Sequence, residues 1–144
     1  MNEDTFHLGI KALIFNKEGK LLLLKVNPEE LRGFKGEPYW DIPGGRVQRK
    51  DGIEGTLRRE VTEETGLEIS EIEPLAMTLS NIRIPQKSGG DVGLILYIFK
   101  CLVKNADKIT LSGEHTEYGW FTKEEGKKLL EVKYPKEFTD KLEK

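Results

Sequence analysis

"RREVTEETG" (residues 58–66) sets three glutamates, Glu60, Glu63 and Glu64, within five positions and closes on a glycine. Leu57 and Val61 give the stretch helical spacing. Gly66 supplies the stop that helices favour just past their last turn. A helix turns about 100° per residue, so with Ile53 at zero Leu57 falls at about 40° and Val61 at about 80°, which marks a buried stripe. On the same wheel Glu64 falls at about 20°, inside the stripe, Glu60 at about 340°, on its edge, and Glu63 at about 280°. Arg58 and Thr62, at about 140° and 180°, face solvent.

A solvated charged face held by i,i+4 ion pairs explains part of this pattern, because Arg59 and Glu63 have that spacing. It does not explain Glu60 and Glu64, which share the spacing with like charge. Such a pair costs a few tenths of a kcal/mol in water and more once partly buried. No lysine or arginine of the helix faces the stripe, so the compensating charge is expected from a bound divalent cation. Carboxylate oxygens suit Mg²⁺ or Mn²⁺.

Outward from this stretch, the helix is expected from about Gly52 to Thr65, with Asp51 as N-cap and Glu54 completing a capping box. Upstream, FHLGIKALIFN (6–16) and KLLLLKV (20–26) read as two strands joined by a hairpin turn at NKEGK. Residues 27–40 read as a long polar loop, and WDIPGGRV (40–47) as a short strand broken at Pro43-Gly44-Gly45. Downstream, 67–84 reads as strand interrupted at Pro74, and 84–91 as a turn. DVGLILYIFKCLVK (91–104) is a strand whose near-continuous apolarity implies burial on both faces. GEHTEYGWFT (113–122) gives a loop and a short strand. TKEE (122–125) is a second capping box that opens a helix to about Glu131, and Pro135 starts a last helix carrying Phe138 and Leu142 on one side. Strands, helix, strands, helix indicate an α/β class: a mixed β-sheet with helices packed on it, in one domain over 1–144.

The composition narrows the function. The chain has 144 residues, 37% hydrophobic and 33% charged, with net charge −2. That is globular and lacks the basic surplus of a duplex nucleic-acid binder. The single cysteine, Cys101, forms no intrachain disulfide and lies in an apolar run, so it reads as a core residue. The acidic N-terminus does not read as a signal peptide, so none is expected, and the longest apolar run (92–103) is too short to span a bilayer. No membrane partner and a cytoplasmic location are expected.

GRVQRKDGIEGTLRREVTEETGL (45–67) resembles the box of the Nudix hydrolase family (MutT-like): Gly, five residues, Glu, seven residues, then Arg-Glu-apolar-any-Glu-Glu-any-Gly-apolar. Gly45, Arg59, Glu60, Val61, Glu63, Glu64, Gly66 and Leu67 match at the required spacings. One position departs: Asp51 stands where the box has its first Glu, preceded by Lys50. The flanking pattern is similar to the Nudix fold over most of the chain, which implies a mixed β-sheet sandwiched between helices (α/β/α).

The resemblance implies a hydrolase of phosphoric anhydride bonds that cleaves a nucleoside diphosphate linked to another moiety, with Mg²⁺ or Mn²⁺ as cofactor. It implies Glu60, Glu64 and the Gly45 carbonyl as metal ligands, and Arg59 as the group that orients the acids. Glu63 is then a further metal ligand or helps activate water. The segment SGEHTEYGW (112–120) resembles the one that supplies an extra acid in several members, which points to Glu114, with Glu117 second. His115 reads as a structural hydrogen-bonding group.

Phosphates need cations, and Arg46, Arg49 and Lys50 lie on the box loop, with Arg32 and Lys35 on the long loop before it. Tyr39 or Trp40 is placed to stack on a base, with core packing as the other reading for Trp40 and Trp120. The compact chain is compatible with (deoxy)nucleoside triphosphates, oxidised nucleotides or dinucleoside polyphosphates, acting as a monomer or homodimer. Silent Nudix-fold modules that only bind a nucleotide or ADP-ribose are the alternative. Those typically lose box acids, and all three helix acids are present here.

Overall fold

The computed structural model describes residues 2–27 and 37–143. Among the described residues eight strands and three short to medium helices follow in the order β1 (Phe6–Ile14), β2 (Leu21–Val26), β3 (Trp40–Asp41), β4 (Gly44–Arg46), α1 (Gly52–Thr65), β5 (Glu68–Leu79), β6 (Ile84–Pro85), β7 (Asp91–Lys104), β8 (His115–Phe121), α2 (Lys123–Leu130) and α3 (Lys136–Thr139), with a closing 3-10 turn at Asp140–Glu143.

The mixed sheet is two sheets. The larger runs β4-β1-β7-β5, with β6 on β7, and the smaller runs β3-β2-β8. β1 and β7 pair in parallel from Phe6↔Gly93 to Ile14↔Cys101, while the other ladders are antiparallel. The expected hairpin between β1 and β2 shrinks to one bridge, Phe15↔Leu21. Its turn forms as read, with the Asn16 side chain accepting from the N–H groups of Glu18 and Lys20. The ladder does not continue because both edges of β1 are taken, by β4 and β7, so β2 pairs instead with β3 and β8. Pro74 does not end β5. It sits at a register shift between Pro74 and Ala76, so a bulge absorbs the missing donor.

β1 and β2 are buried on both faces, which explains their unbroken apolar runs. Ile10, Ala12, Ile14, Leu22 and Leu24 point to one core, with Leu57 and Val61 of α1 and with Phe99 and Cys101 of β7. Leu13, Leu21 and Leu23 point to the other, with Leu130, Tyr134, Phe138 and Leu142 of the C-terminal helical layer. The layers are therefore helix, strands, helix. No helix among the described residues is long and apolar enough to cross a membrane.

The α1 wheel needs one adjustment. Leu57, Val61 and Glu64 are buried, together with Thr56 and Thr65, but Ile53 is 40% exposed. It lies in the first turn, ahead of the buried face that begins at Thr56. Gly66 ends the helix in the left-handed region (φ 75°), its N–H bonded to the Thr62 carbonyl. The second capping box forms as read, between Thr122 and Glu125.

Candidate active site

β1 and β4 carry the site's backbone, and α1 carries its acids. Gly44 and Gly45 pair with Lys11 and Ile10 of β1. A Cβ at Gly44 (φ 152°) would lie 2.1 Å from the Ile10 carbonyl oxygen, and one at Gly45 would lie 2.5 Å from Glu60 Cδ. The two glycines thus let the chain run against both β1 and the glutamate. We predict that Gly45→Ala pushes the Glu60 carboxylate out of place. Mn²⁺ affinity in a titration should fall by about 10-fold or more, the scale for disturbing a group that orients a metal ligand. Unchanged affinity would refute the role of this contact.

Glu64 is 4% exposed and accepts from the Gly44 N–H at 3.3 Å. Burial pushes its carboxyl up to about 8 against the pull of Lys11 and of the Gly44 bond, and the neighbouring Glu60 and Asp41 carboxylates push the same way. Without a metal, then, a proton rather than a cation relieves this buried acid at neutral pH.

The Asp51 departure resolves in the side chains. The carboxylate does not cap α1. It accepts from Arg59 Nε at 2.7 Å instead. Arg59 Nη1 in turn lies 3.1 Å from Glu60 and 3.2 Å from Glu63. The expected capping box therefore gives way to an ion pair that fixes Arg59 among the acids. The shorter Asp still reaches, because the turn before the helix, with the Asp51 and Gly52 N–H groups on the Gln48 carbonyl, brings it over α1. Arg59 Nη2 is buried and has no hydrogen-bond partner among the described residues, leaving a donor in reserve.

The described residues bring most of the expected site to one place. Gly45, Glu64, Arg46, Tyr39 and Glu114 line a cavity of about 810 Å³. Glu60 stands behind Gly45, and Glu63 lies on the outer side of Arg59 with its side chain 56% exposed. Arg46 is held against His7, Nη1 to Nδ1 at 2.8 Å. Lys50 is exposed on the turn before α1 and is not in the cavity wall. Tyr39 is buried in that wall, and burial pushes its phenol up to about 12. Trp40 packs edge-on against Phe121 rather than facing the cavity. Arg32 and Lys35 lie outside the described residues.

His115 differs from its expected role. Its Nε2 is 3.7 Å from Glu64, beyond hydrogen-bond range, and its Nδ1 has no partner among the described residues. Burial, reinforced by the Lys11 charge, pushes the imidazole down to about 4, so the ring is neutral.

One cluster was not anticipated. Asp41 Oδ2 accepts from Lys11 Nζ at 3.1 Å and Lys133 Nζ at 2.6 Å, and Asp41 Oδ1 accepts from the Tyr134 hydroxyl and the Ile42 N–H. Burial opposes the charge on Asp41, yet the two ammonium groups and their bonds hold its carboxyl well below the usual range. A lysine amid the apolar run of β1 was the one sequence signal for it.

Among the described residues no three His, Cys, Asp or Glu side chains form a ready-made cage. The chain offers a partial set instead: two carboxylates one turn apart on α1 and the backbone at Gly45. Mg²⁺ is commonly held by one or two carboxylates together with substrate phosphates, and an all-oxygen set suits Mg²⁺ and Mn²⁺. The residues present fit such a cation.

A family model described as the NUDIX domain matches residues 5–142. The chain belongs to the Nudix family. It is a Nudix-type hydrolase acting on phosphoric anhydride bonds. The nucleoside triphosphatase NudI of Enterobacter sp. (strain 638) is 34% identical over 117 residues, 77% of this chain and 79% of that protein. NudI of Salmonella agona (strain SL483) is 35% identical over 118 residues, 78% of this chain and 79% of that protein. The crystal structure of a MutT protein from Methanosarcina mazei Go1 superposes with a TM-score of 0.68 at 30% identity, covering 99% of this chain and 94% of that one. The Nudix reading of the box and of the α/β/α layers therefore holds.

Proposed function

We propose that this Nudix hydrolase cleaves the pyrophosphate linkage of a small nucleotide, with a nucleoside triphosphate as the leading substrate. Oxidised nucleotides and dinucleoside polyphosphates have the same linkage. The observation that carries the reading is Glu64, a carboxyl buried against Gly44 with Glu60 one turn away, at the wall of a nucleotide-sized cavity. The likeness to the NudI nucleoside triphosphatases supports the choice of substrate.

Glu60, Glu64 and the Gly45 carbonyl are the residues to hold Mg²⁺ or Mn²⁺. Such a cation, when bound, offsets phosphate charge and lowers the pKa of water. Arg59, fixed by Asp51, keeps Glu60 and Glu63 in position. Arg46 supplies positive charge to the phosphates at the cavity mouth. A water attacks phosphorus, a carboxylate accepts its proton, and the P–O bond to the leaving phosphate breaks. Glu114 is our candidate for that carboxylate; its position in the cavity lining with Glu64 supports the choice, and Glu63 is tied to Arg59.

A screen of nucleotides with Mg²⁺, followed by identification of the products, tests the reading; hydrolysis of no nucleotide would refute it. Within that assay, Glu114→Gln should lower kcat by about 10²–10⁴-fold, the range for a general base, and Glu63→Gln by less. The reverse order would move the base to Glu63.

A further inference from the structure

Strand residues alternate between two faces, and along β1 and β7 that alternation separates two surfaces. Gly9, Lys11, Leu94 and Leu96 line the cavity. Phe6, Leu8, Ile95 and Tyr97 therefore point the other way, to the face that carries α1. The registers Leu8↔Ile95, Leu79↔Ile95 and Met77↔Tyr97 set side chains of β1, β7 and β5 next to one another there. The Phe6 ring joins them over Gly93, where a Cβ would stand 2.5 Å from it. α1 covers only part of this face, since Leu57 and Val61 pack with Ile10, Ala12, Ile14, Phe99 and Cys101. Beyond the helix Phe6, Met77 and Leu79 are 39, 60 and 53% exposed, and Leu8, Ile95 and Tyr97 are half-buried.

None of these six side chains is charged. β5 is also the outer strand of its sheet. Open sheet edges are commonly guarded by charged side chains, proline or bulges. Pro74 and its bulge guard the middle of this edge, but LAMTL (75–79) beyond them carries no charge. An uncharged edge thus adjoins an uncharged face.

The size of the patch says what fits it. At roughly 200 Å² for a large side chain, the three exposed residues leave about 300 Å² of apolar surface, and the three half-buried ones carry it toward about 400 Å². A stable interface buries about 800 Å² on each partner, somewhat over half of it apolar. The patch comes close to that apolar share by itself. A two-fold contact sets a surface against its own copy, so a charged patch would meet like charge, while an apolar one matches itself. Homodimer interfaces are also more apolar than those of transient partners, which resemble ordinary surface.

We propose that a second copy of this chain covers the patch, in a two-fold dimer centred on Met77 and Leu79. The cavity lies on the opposite face of β1 and β7, so each copy keeps its own site open to substrate. The contact therefore bears on assembly and stability and leaves turnover per site unchanged.

The test is molar mass by sedimentation equilibrium over a dilution series. The native chain should reach twice 16.4 kDa and fall toward that value on dilution. Its melting temperature should rise with protein concentration, because association stabilises the folded state by mass action. Met77→Lys with Leu79→Lys places like charges against each other across the two-fold axis. That variant should halve the mass and remove the concentration dependence, with an unchanged circular dichroism spectrum. Val132→Lys changes an equally exposed residue outside the patch and should leave the dimer intact. A native mass of one chain at every concentration would overturn the proposal without any variant, and would leave the face to a different partner. A dimer that survives the double lysine variant, or one that Val132→Lys also breaks, would overturn it as well.

Discussion

Glu64→Gln is expected to cost activity on the order of 10²–10³-fold, the scale for losing a preorganised charge at the reacting centre, while the metal-free protein stays folded. The two effects have one cause. Gln keeps the shape and the acceptor for the Gly44 N–H but has no charge to offer a cation.

The stability effect depends on pH, and its sign follows from the raised carboxyl. Below about 4.5 Glu64 is protonated in both folded and unfolded chains and contributes no difference. Between about 4.5 and about 8 the unfolded chain loses the proton and the folded one keeps it, so the folded state loses stability as pH rises. Above that the penalty is complete, on the order of a few kcal/mol. Gln does not titrate, so the variant should escape this loss. Urea unfolding in EDTA at pH 5 and pH 8 measures it. The native protein should weaken between the two and Glu64→Gln should hold closer to level. Parallel behaviour would mean Glu64 is ionised in the metal-free fold, and full turnover in the variant would remove it from the metal site.

Asp41→Asn should be the most destabilising conservative change in the chain. It removes the charge that faces both Lys11 and Lys133 and leaves two nearly buried ammonium groups without their counter-ion. Breaking a buried pair in this way costs about 3–5 kcal/mol, which for a domain of this size lowers Tm by on the order of 10 °C. Adding Lys11→Met should recover part of the loss, because it removes one of the stranded charges, and the double-mutant cycle then reports the coupling. A melting temperature within a degree or two of native would refute the cluster's structural weight. The acid limit also follows. The Asp41 carboxyl is held below its ordinary value near 3.8, so its contribution is fully present above that pH and is lost only as pH falls further, through the lowered folded value. Mild acid should leave the cluster intact.

The acids were legible because helical periodicity is local: three glutamates, two apolar residues and a glycine place Glu64 in the stripe without any knowledge of the sheets. The capping box at Thr122 was legible for the same reason. Asp51 was not, since a short acidic side chain ahead of a helix has two partners within reach, the helix N–H groups and Arg59. Which one wins depends on the turn at Gln48–Gly52, three-dimensional information that spacing lacks. The β1–β2 hairpin was over-read for a different reason. Turn chemistry specifies that the chain reverses, but the ladder that follows depends on which strand edges remain unpaired.

The sequence alone determined the box, the helix that carries it, the two-sided burial of β7, and the kind of cation the acids suit. Each follows from neighbours a few residues apart. Tertiary structure decided what stands beside Glu64 in the cavity wall. Lys11, Asp41 and Lys133 are 30 and 92 positions apart along the chain and meet only because β1, β3 and the turn after α2 converge on one wall. Charges that are far apart in sequence interact through space once water is excluded. No periodicity encodes that meeting.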